Sequence, residues 1–462
     1  MPIPRAAGRP HRRAATTTGA AALTAVLALT ASGCAGAGEV GSASGGTTVT
    51  VAIVANPQMQ DVETLTSEFT RTHPGIHIDY VTLPENEARQ KITESVATGS
   101  GEFDVVMISN YETPMWAKNG WLVDLQPYAN NTAGYDPADF IGPIRQSLSY
   151  RGDLYSVPFY GESSFLMYRK DLFAAHHLTM PAHPTWQQVA HFADVLNDPG
   201  HNMAGICLRG DPGWGENLAP LDTVINTFGG TWYDKDWNAK LDSPATEKAV
   251  SFYTDLVHRD GEPSAATSGF TECGTDMGQG TAAMWYDATS AAGTLEDPTS
   301  SKVAGKVGYA PAPVVDTPSS GWLYSWSLAL PKTSQHKDAA WQFVSWATSK
   351  EYIRLVGSKL GWSRVPPGSR ESTYAIPQYR KAAAAFAQPT LDSISTARPQ
   401  QPGVQPVPYT GVQFLDIPEF EDLGTRVSQQ ISAAVAGQES VPSALSQAQS
   451  YAETVGRTYR KQ

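Results

Sequence analysis

The stretch that most constrains this chain is Tyr155–Phe173, YSVPFYGESSFLMYRKDLF. Tyr155, Val157 and Phe159 recur at period two around Pro158, as a strand requires. Gly161-Glu162 and Ser163-Ser164 interrupt the pattern. A second apolar run, Phe165–Tyr168, follows and ends in Arg169-Lys170-Asp171. Two strand-like runs parted by a short polar break describe a chain leaving one lobe and arriving in another. A carboxylate at that break, Glu162, faces whatever lies between the lobes, because burying it there without a partner is costly.

The residues before the crossing predict one half of such a molecule. Thr47–Ala55 alternates and then runs apolar, as a buried strand does. Asp61–Thr72 places Val62, Leu65 and Phe69 at helical spacing, and His73-Pro74-Gly75 stops it. Ile76–Leu83 reads as a strand, Glu85–Thr98 as a helix and Phe103–Ile108 as a third strand. This β-α-β-α-β order belongs to a parallel sheet with covering helices. Ligands of such sheets sit beyond the carboxyl ends of the strands, which singles out Asn56, Glu85, Asn110 and Tyr111.

Beyond the crossing, Thr185-Trp186 opens a helix, Gly205–Leu208 reads as a short strand, and Arg209–Leu218 (RGDPGWGENL) gathers Trp214, Glu216 and Asn217 among glycines that cannot pack a core. Gly229–Asp234 reads as a turn with exposed aromatics. Pro244–Arg259 is helical in pattern, Thr281–Tyr286 is a strand running into Asp287, and Lys306–Ala310 is another strand. Trp322, Tyr324 and Trp326 alternate, so one of the two tryptophans is expected to reach a cleft. Gly361–Gly368 reads as a second hinge, 384–412 as loop-rich, and Pro418–Tyr459 as mostly helical.

The first 33 residues read as a targeting segment: a basic region with Arg5, Arg9, Arg12 and Arg13, then an apolar run, Gly19–Leu29, too short to span a bilayer well. Ala31-Ser32-Gly33-Cys34 resembles a bacterial lipobox, which makes Cys34 an acylated first residue and Ala35–Gly46 a flexible tether. Removing residues 1–33, which hold four arginines and no acid, takes the formal charge from −12 to −16. That balance argues against nucleic acid or anionic lipid as the main partner. Cys207 and Cys273 remain; an exported pair can oxidise, and sequence leaves their pairing open. The histidines show no ligand spacing, so neither a metal nor a cofactor is expected.

Three reaction classes leave little trace. There is no G-x-S-x-G and no phosphate-binding glycine loop. Glu162, Glu216 and Asp287 could supply a glycosidase pair, a weak signal in any acidic cleft. Binding uses the same residues more economically. Glu162, Asp287, Glu216, Asn217 and Asn110 suit the hydroxyls of a polyol or small sugar. Trp214, Trp285, Trp322 and Trp362 suit its C–H faces. Arg364 could donate to a hydroxyl or orient a carboxylate, and Glu85 and Tyr111 lie near. On this reading, loss of Glu162 or Asp287 abolishes binding and leaves the fold intact.

LYSVPFYGESSFLMYRKDLF, ICLRGDPGWGENLAPLDTVINTFGGTWYDKDW, AAMWYDATSAAGTLEDP, GWLYSWSLALPKTS and GWSRVPPGSRESTY resemble the extracytoplasmic solute-binding proteins of ABC importers, in the carbohydrate group and closest to its sorbitol/mannitol-binding branch. The resemblance implies an α/β, two-lobe periplasmic-binding-protein-like fold (type II), with a ligand cleft between lobes joined by hinge crossings near Phe159, Pro313 and Val365. It implies lobe 1 from 47–159 and 313–364, and lobe 2 from 160–312 and 365–462. It also implies a monomer without catalytic activity that closes on a polyol and delivers it to permease subunits, lipid-anchored on the outer face of the cell membrane. Tyr286 and Arg364 depart from the residues expected beside the site. The rival from another class is a secreted glycoside-active hydrolase using Glu162 and Asp287; a third is a surface receptor for peptide or protein.

Overall fold

The computed structural model describes residues 46–461; the export signal, Cys34 and nearly all of the tether lie outside them. Strand β1 (Thr47–Val54) has Val49, Val51 and Ile53 fully buried, so it is central in a sheet covered on both faces. Helix α1 (Pro57–Thr72) begins where Asn56 Oδ1 accepts from the Met59 N–H at 3.0 Å. That is an ordinary N-cap with proline just inside the first turn. Its Met59, Val62, Leu65 and Phe69 return to the sheet at helical spacing. Strand β2 (Ile76–Leu83), helix α2 (Glu85–Thr98) and strand β3 (Val105–Ser109) complete the parallel unit.

Strand β4 (Val157–Glu162) belongs to this first sheet and strand β5 (Ser164–Arg169) to a second one. Ser163 alone joins them. Its N–H donates to Thr289 Oγ1 at 3.2 Å, and its carbonyl accepts from the Thr289 N–H at 2.8 Å. The second sheet has β5 at its centre, flanked by β6 (Met284–Ala288) and β7 (Val307–Pro311), both antiparallel to it. The chain then returns as β8 (Tyr324–Ala329), inserted antiparallel between β3 and β4 to give the order β2-β1-β3-β8-β4. The segment around Pro367 and Gly368 lies directly against the first crossing: the Gly161 N–H donates to Pro367 O at 3.0 Å. A Cβ on Gly161 or on Gly368 would collide with the other's backbone, and Gly368 has φ of 65°. Glycine is required at both for this close approach.

Three local expectations change, and one left open is decided. Trp232 and Tyr233 are buried, not exposed: Trp232 Nε1 donates to Asp222 at 2.9 Å and Tyr233 Oη to Ala452 O at 2.9 Å. The proline-rich 384–412 segment contains a helix, Ala387–Thr396. Gly205–Leu208 is not a strand; Ala204 and Cys207 make only isolated bridges beside β6. Cys207 and Cys273 form a disulfide, fastening helix Phe270–Gln279 next to the loop that starts at Arg209. Among the described residues no helix is long and apolar enough to cross a membrane.

Candidate functional site

Where the two sheets face each other, a narrow enclosed cavity is lined by Asn56, Glu85, Arg89, Tyr160 and Glu162 from the first crossing and before it. Arg209, Gly215, Phe270 and Ser290 line it from the other side. Trp322, Tyr324 and Trp326 contribute from the β8 segment, and Gln413 from the C-terminal part. A larger groove, about 890 Å³, runs along Asn197–Ala204 and Val257–Ala266 on the outer side. It brings together no comparable convergence of charged and aromatic groups.

Two buried guanidinium groups organise the cavity wall. Arg89 on α2 donates to Glu85 Oε1 (3.0 and 2.8 Å), to Glu112 Oε1 (2.9 Å) and to Tyr324 Oη (2.5 Å). Its plane lies 4.0 Å from the Trp214 ring and 4.4 Å from the Trp326 ring, and such desolvated stacks contribute roughly 2 kcal/mol. Arg209 grips Asp287 with two bonds of 2.7 and 2.5 Å and donates to Gly215 O and to Glu216 at 3.3 Å. Trp285 Nε1 adds a bond to Asp287 at 3.0 Å. The glycines of 209–218 let this loop press against α2: Asn86 Nδ2 donates to Pro212 O at 2.9 Å. A Cβ on Gly215 would strike the Glu85 carboxylate.

Glu162 is 5% exposed, and one of its oxygens accepts from Ser290 Oγ. Burial pushes its pKa up to about 8. The Ser290 bond and Arg209 offset this in part, while the charges of Asp287 and Glu85 add to it. Burial, and next the charge of Glu85, likewise raise Glu216. The indole N–H of Trp322, a residue 1% exposed, has no partner among the described residues, and neither has the side-chain oxygen of Gln413.

The predicted residues divide accordingly. Glu85, Glu162 and Trp322 line the cavity, and Trp326 does so as well as Trp322. Asp287, Glu216, Trp285 and Trp214 stand one layer behind, holding or covering the two arginines. Asp287 is fully buried with both oxygens engaged, so it is not free to act as the partner of Glu162 in hydrolysis. Removing it would strand a buried charge, which typically costs about 3–5 kcal/mol, so loss of Asp287 does not leave the fold intact. Asn110 pins β8, bonding Leu323 O (3.2 Å) and the Ser325 N–H (3.0 Å). Tyr111 donates to Ile417 O at 3.1 Å, and Asn217 bonds Gly210 O and Ser428 O; both are core residues. Trp362 packs on Gly357. Arg364 lies elsewhere, between Asp61 of α1 and Asp297, which follows β6. Tyr286 bonds Ser164 of the second sheet at 2.9 Å and Thr223 of the helix Leu218–Thr227 at 2.8 Å. Arg89 and Arg209, the two cations of the cavity lining among the described residues, have no sequence signature: a lone arginine on a polar helix face or before Gly-Asp carries no motif.

A two-lobe molecule with an enclosed polar and aromatic cavity between its sheets defines a ligand-binding protein of the periplasmic type. Residues 56–353 match the family model for bacterial extracellular solute-binding proteins, and this chain belongs to that family and is exported. A mannitol-binding protein of Pseudomonas aeruginosa is 43% identical over 408 residues, 88% of this chain and 92% of the relative. The crystal structure of an ABC transporter solute-binding protein from Agrobacterium vitis with bound D-mannitol superposes with a TM-score of 0.87 at 47% identity, over 89% of this chain and 99% of that one. A solute-binding protein from Agrobacterium radiobacter in complex with ribitol gives 0.77 at 25% identity, over 89% and 99%.

The raised Glu162 has a measurable consequence. The folded protein holds its proton up to about pH 8, whereas an ordinary glutamate loses it near 4.5. Stability therefore falls as pH rises through that window; Glu262 and Glu421, both raised to about 7 by burial, act in the same sense. The melting temperature of the unliganded protein should drop between pH 5 and pH 8, and Glu162→Gln should flatten part of that slope. An unchanged slope in the variant would mean that Glu162 is ionised throughout.

Proposed function

We propose that this protein binds an open-chain polyol, with a hexitol such as mannitol the best supported, by closing its two lobes and presenting the closed form to the permease of an ABC importer. The observation that carries this reading is the partnerless, fully buried indole N–H of Trp322 beside Glu162 and Glu85 on the cavity wall. Buried polar groups find partners, and a chain of hydroxyls supplies them to donor and acceptors alike. The names of the mannitol- and ribitol-binding relatives support the same ligand class. No bond is made or broken on this reading, and the locked Asp287 supports it over the hydrolase.

Closure follows from where the chain crosses. We place the first crossing at Ser163, just beyond Phe159, the second between β7 and β8, and the third after Ser372 rather than near Val365, because Arg370 still donates to Thr348 O and Asp136 O, and Ser372 to Asp139, in the first lobe. The lobes are then the five-stranded sheet with its helices and the three-stranded sheet with the remainder. A ligand touching both shifts the open–closed equilibrium by its better fit to the closed state. Delivery to a permease, a monomeric state and an acylated Cys34 complete the proposal. Membrane fractionation tests the anchor: Cys34→Ala should move the protein from the membrane to the soluble fraction.

In calorimetry, D-mannitol should bind and maltose should not. Trp322→Phe, which keeps the ring and deletes the N–H, should weaken mannitol at least tenfold; undiminished affinity would sink the assigned role. Arg364 gives a separate expectation. It bridges Asp61 and Asp297 outside the cavity, and nearby Gln58 Nε2 donates to Ser290 O at 3.2 Å. Arg364→Ala should weaken mannitol several-fold and expand the unliganded form in small-angle scattering, with no ligand contact removed.

A further inference from the structure

The donors and acceptors of the cavity wall are unequal. Each guanidinium has five N–H donors. Arg89 commits four of its bonds to Glu85, Glu112 and Tyr324, and its faces lie against two indoles. Arg209 commits four to Asp287, Gly215 O and Glu216. Neither presents the free fork that takes up a carboxylate or phosphate side-on. Five carboxyl groups (Glu85, Glu112, Glu162, Glu216 and Asp287) surround these two cations. Glu85 and Glu162, which line the cavity from neighbouring elements, each have one oxygen that no described residue bonds. Against these acceptors stand two buried donors with no acceptor among the described residues: the Trp322 N–H, and the hydroxyl of Tyr160, which accepts from Asn56 Nδ2 at 3.1 Å.

We infer that this cavity accepts a second ligand class, cationic amino-polyols, and excludes the anionic counterparts of its polyol, the sugar acids and polyol phosphates. The inference rests on the polyol reading and extends it to charge. An ammonium group carries three donors and no acceptor. Placed at one end of a six-carbon chain, it meets the unbonded oxygens of Glu162 and Glu85 where a hydroxyl could donate to only one of them. A carboxylate at the same end would bring two more acceptors where neither guanidinium has a fork free to receive them, and a charge of the same sign as Glu85, in a water-poor space where like charges repel strongly. Glu162 and Glu85 are thus the residues that set selectivity by charge, and the arginines, although nearest in name to an anion site, are spent on holding them.

Calorimetry on the full-length protein at pH 7 tests this with three ligands of matched length: D-mannitol, 1-amino-1-deoxy-D-sorbitol and D-gluconate. The amino-polyol should bind within tenfold of mannitol, and gluconate at least a hundredfold more weakly. Glu162, protonated near neutrality in the unliganded protein, gives up its proton to pair with the ammonium, so amino-polyol binding at pH 7 should release a proton; Glu162→Gln should abolish that release and weaken the amino-polyol at least tenfold more than it weakens mannitol. If mannitol binds and the amino-polyol is more than tenfold weaker, or gluconate comes within a hundredfold of mannitol, the inference is overturned while the polyol reading stands. If no neutral polyol binds, the polyol reading itself fails. Should Glu162→Gln fail to fold, the conservative Glu85→Gln serves for the same comparison.

Discussion

Everything at the cleft depends on two guanidinium groups held out of water. A buried charge is tolerable only when its partners are close and its remaining donors are met. Arg209 achieves this with Asp287 and Glu216, Arg89 with Glu85 and Glu112. One partner of each reaches across sequence: Arg209 in a loop to Asp287 at the end of β6, Arg89 on α2 to Glu112 beyond β3. The pairs therefore tie loops to the sheets that carry them. They also engage most of the guanidinium N–H groups near the cavity, and what the wall leaves open is the remainder: single oxygens of Glu85 and Glu162, the indole N–H of Trp322 and aromatic faces.

That wiring also explains how the halves of the molecule stay coupled. Ser290 donates to Glu162 at the cavity and accepts from Gln58 of α1 on the outside. Arg364 sits a short way off with Asp61 and Asp297 on either side. A change in spacing between the sheets is therefore felt at once by Glu162 on the cavity wall. Gly161 and Gly368, which let the segment around Pro367 lie directly on the β4–β5 crossing, keep these contacts in one place.

Much of the fold was legible in the sequence because it rests on local pattern. β1, α1, β2 and α2 follow from hydrophobic periodicity and from breakers such as His73-Pro74-Gly75, and their limits agree with expectation to within a few residues. The break at Glu162 was legible because a charged residue between two apolar runs has few places to go. The site was legible only in part. Trp322 and Glu162 announce themselves by type and setting. Asp287, Glu216 and Trp214 were chosen by the same rule, yet they serve the arginines, since a carboxylate one layer deep looks the same in sequence as one at the surface of a cavity. Arg89 and Gln413 left no local signal: their positions come from tertiary packing across more than a hundred residues. Trp232 and Tyr233 misled for a related reason. The glycines before them suggest a surface turn, but the C-terminal helices Phe420–Val435 and Val441–Tyr459 fold back to cover them.

The bridge between Cys207 and Cys273 bears on when the molecule becomes competent. Thiols stay reduced in the bacterial cytoplasm and join only in an oxidising compartment. The helix whose first amide N–H groups reach Glu216 and Glu272, and hence one shoulder of the Arg209 network, is stapled down only after secretion. A newly made copy thus lacks its last fastening until it has left the cytoplasm.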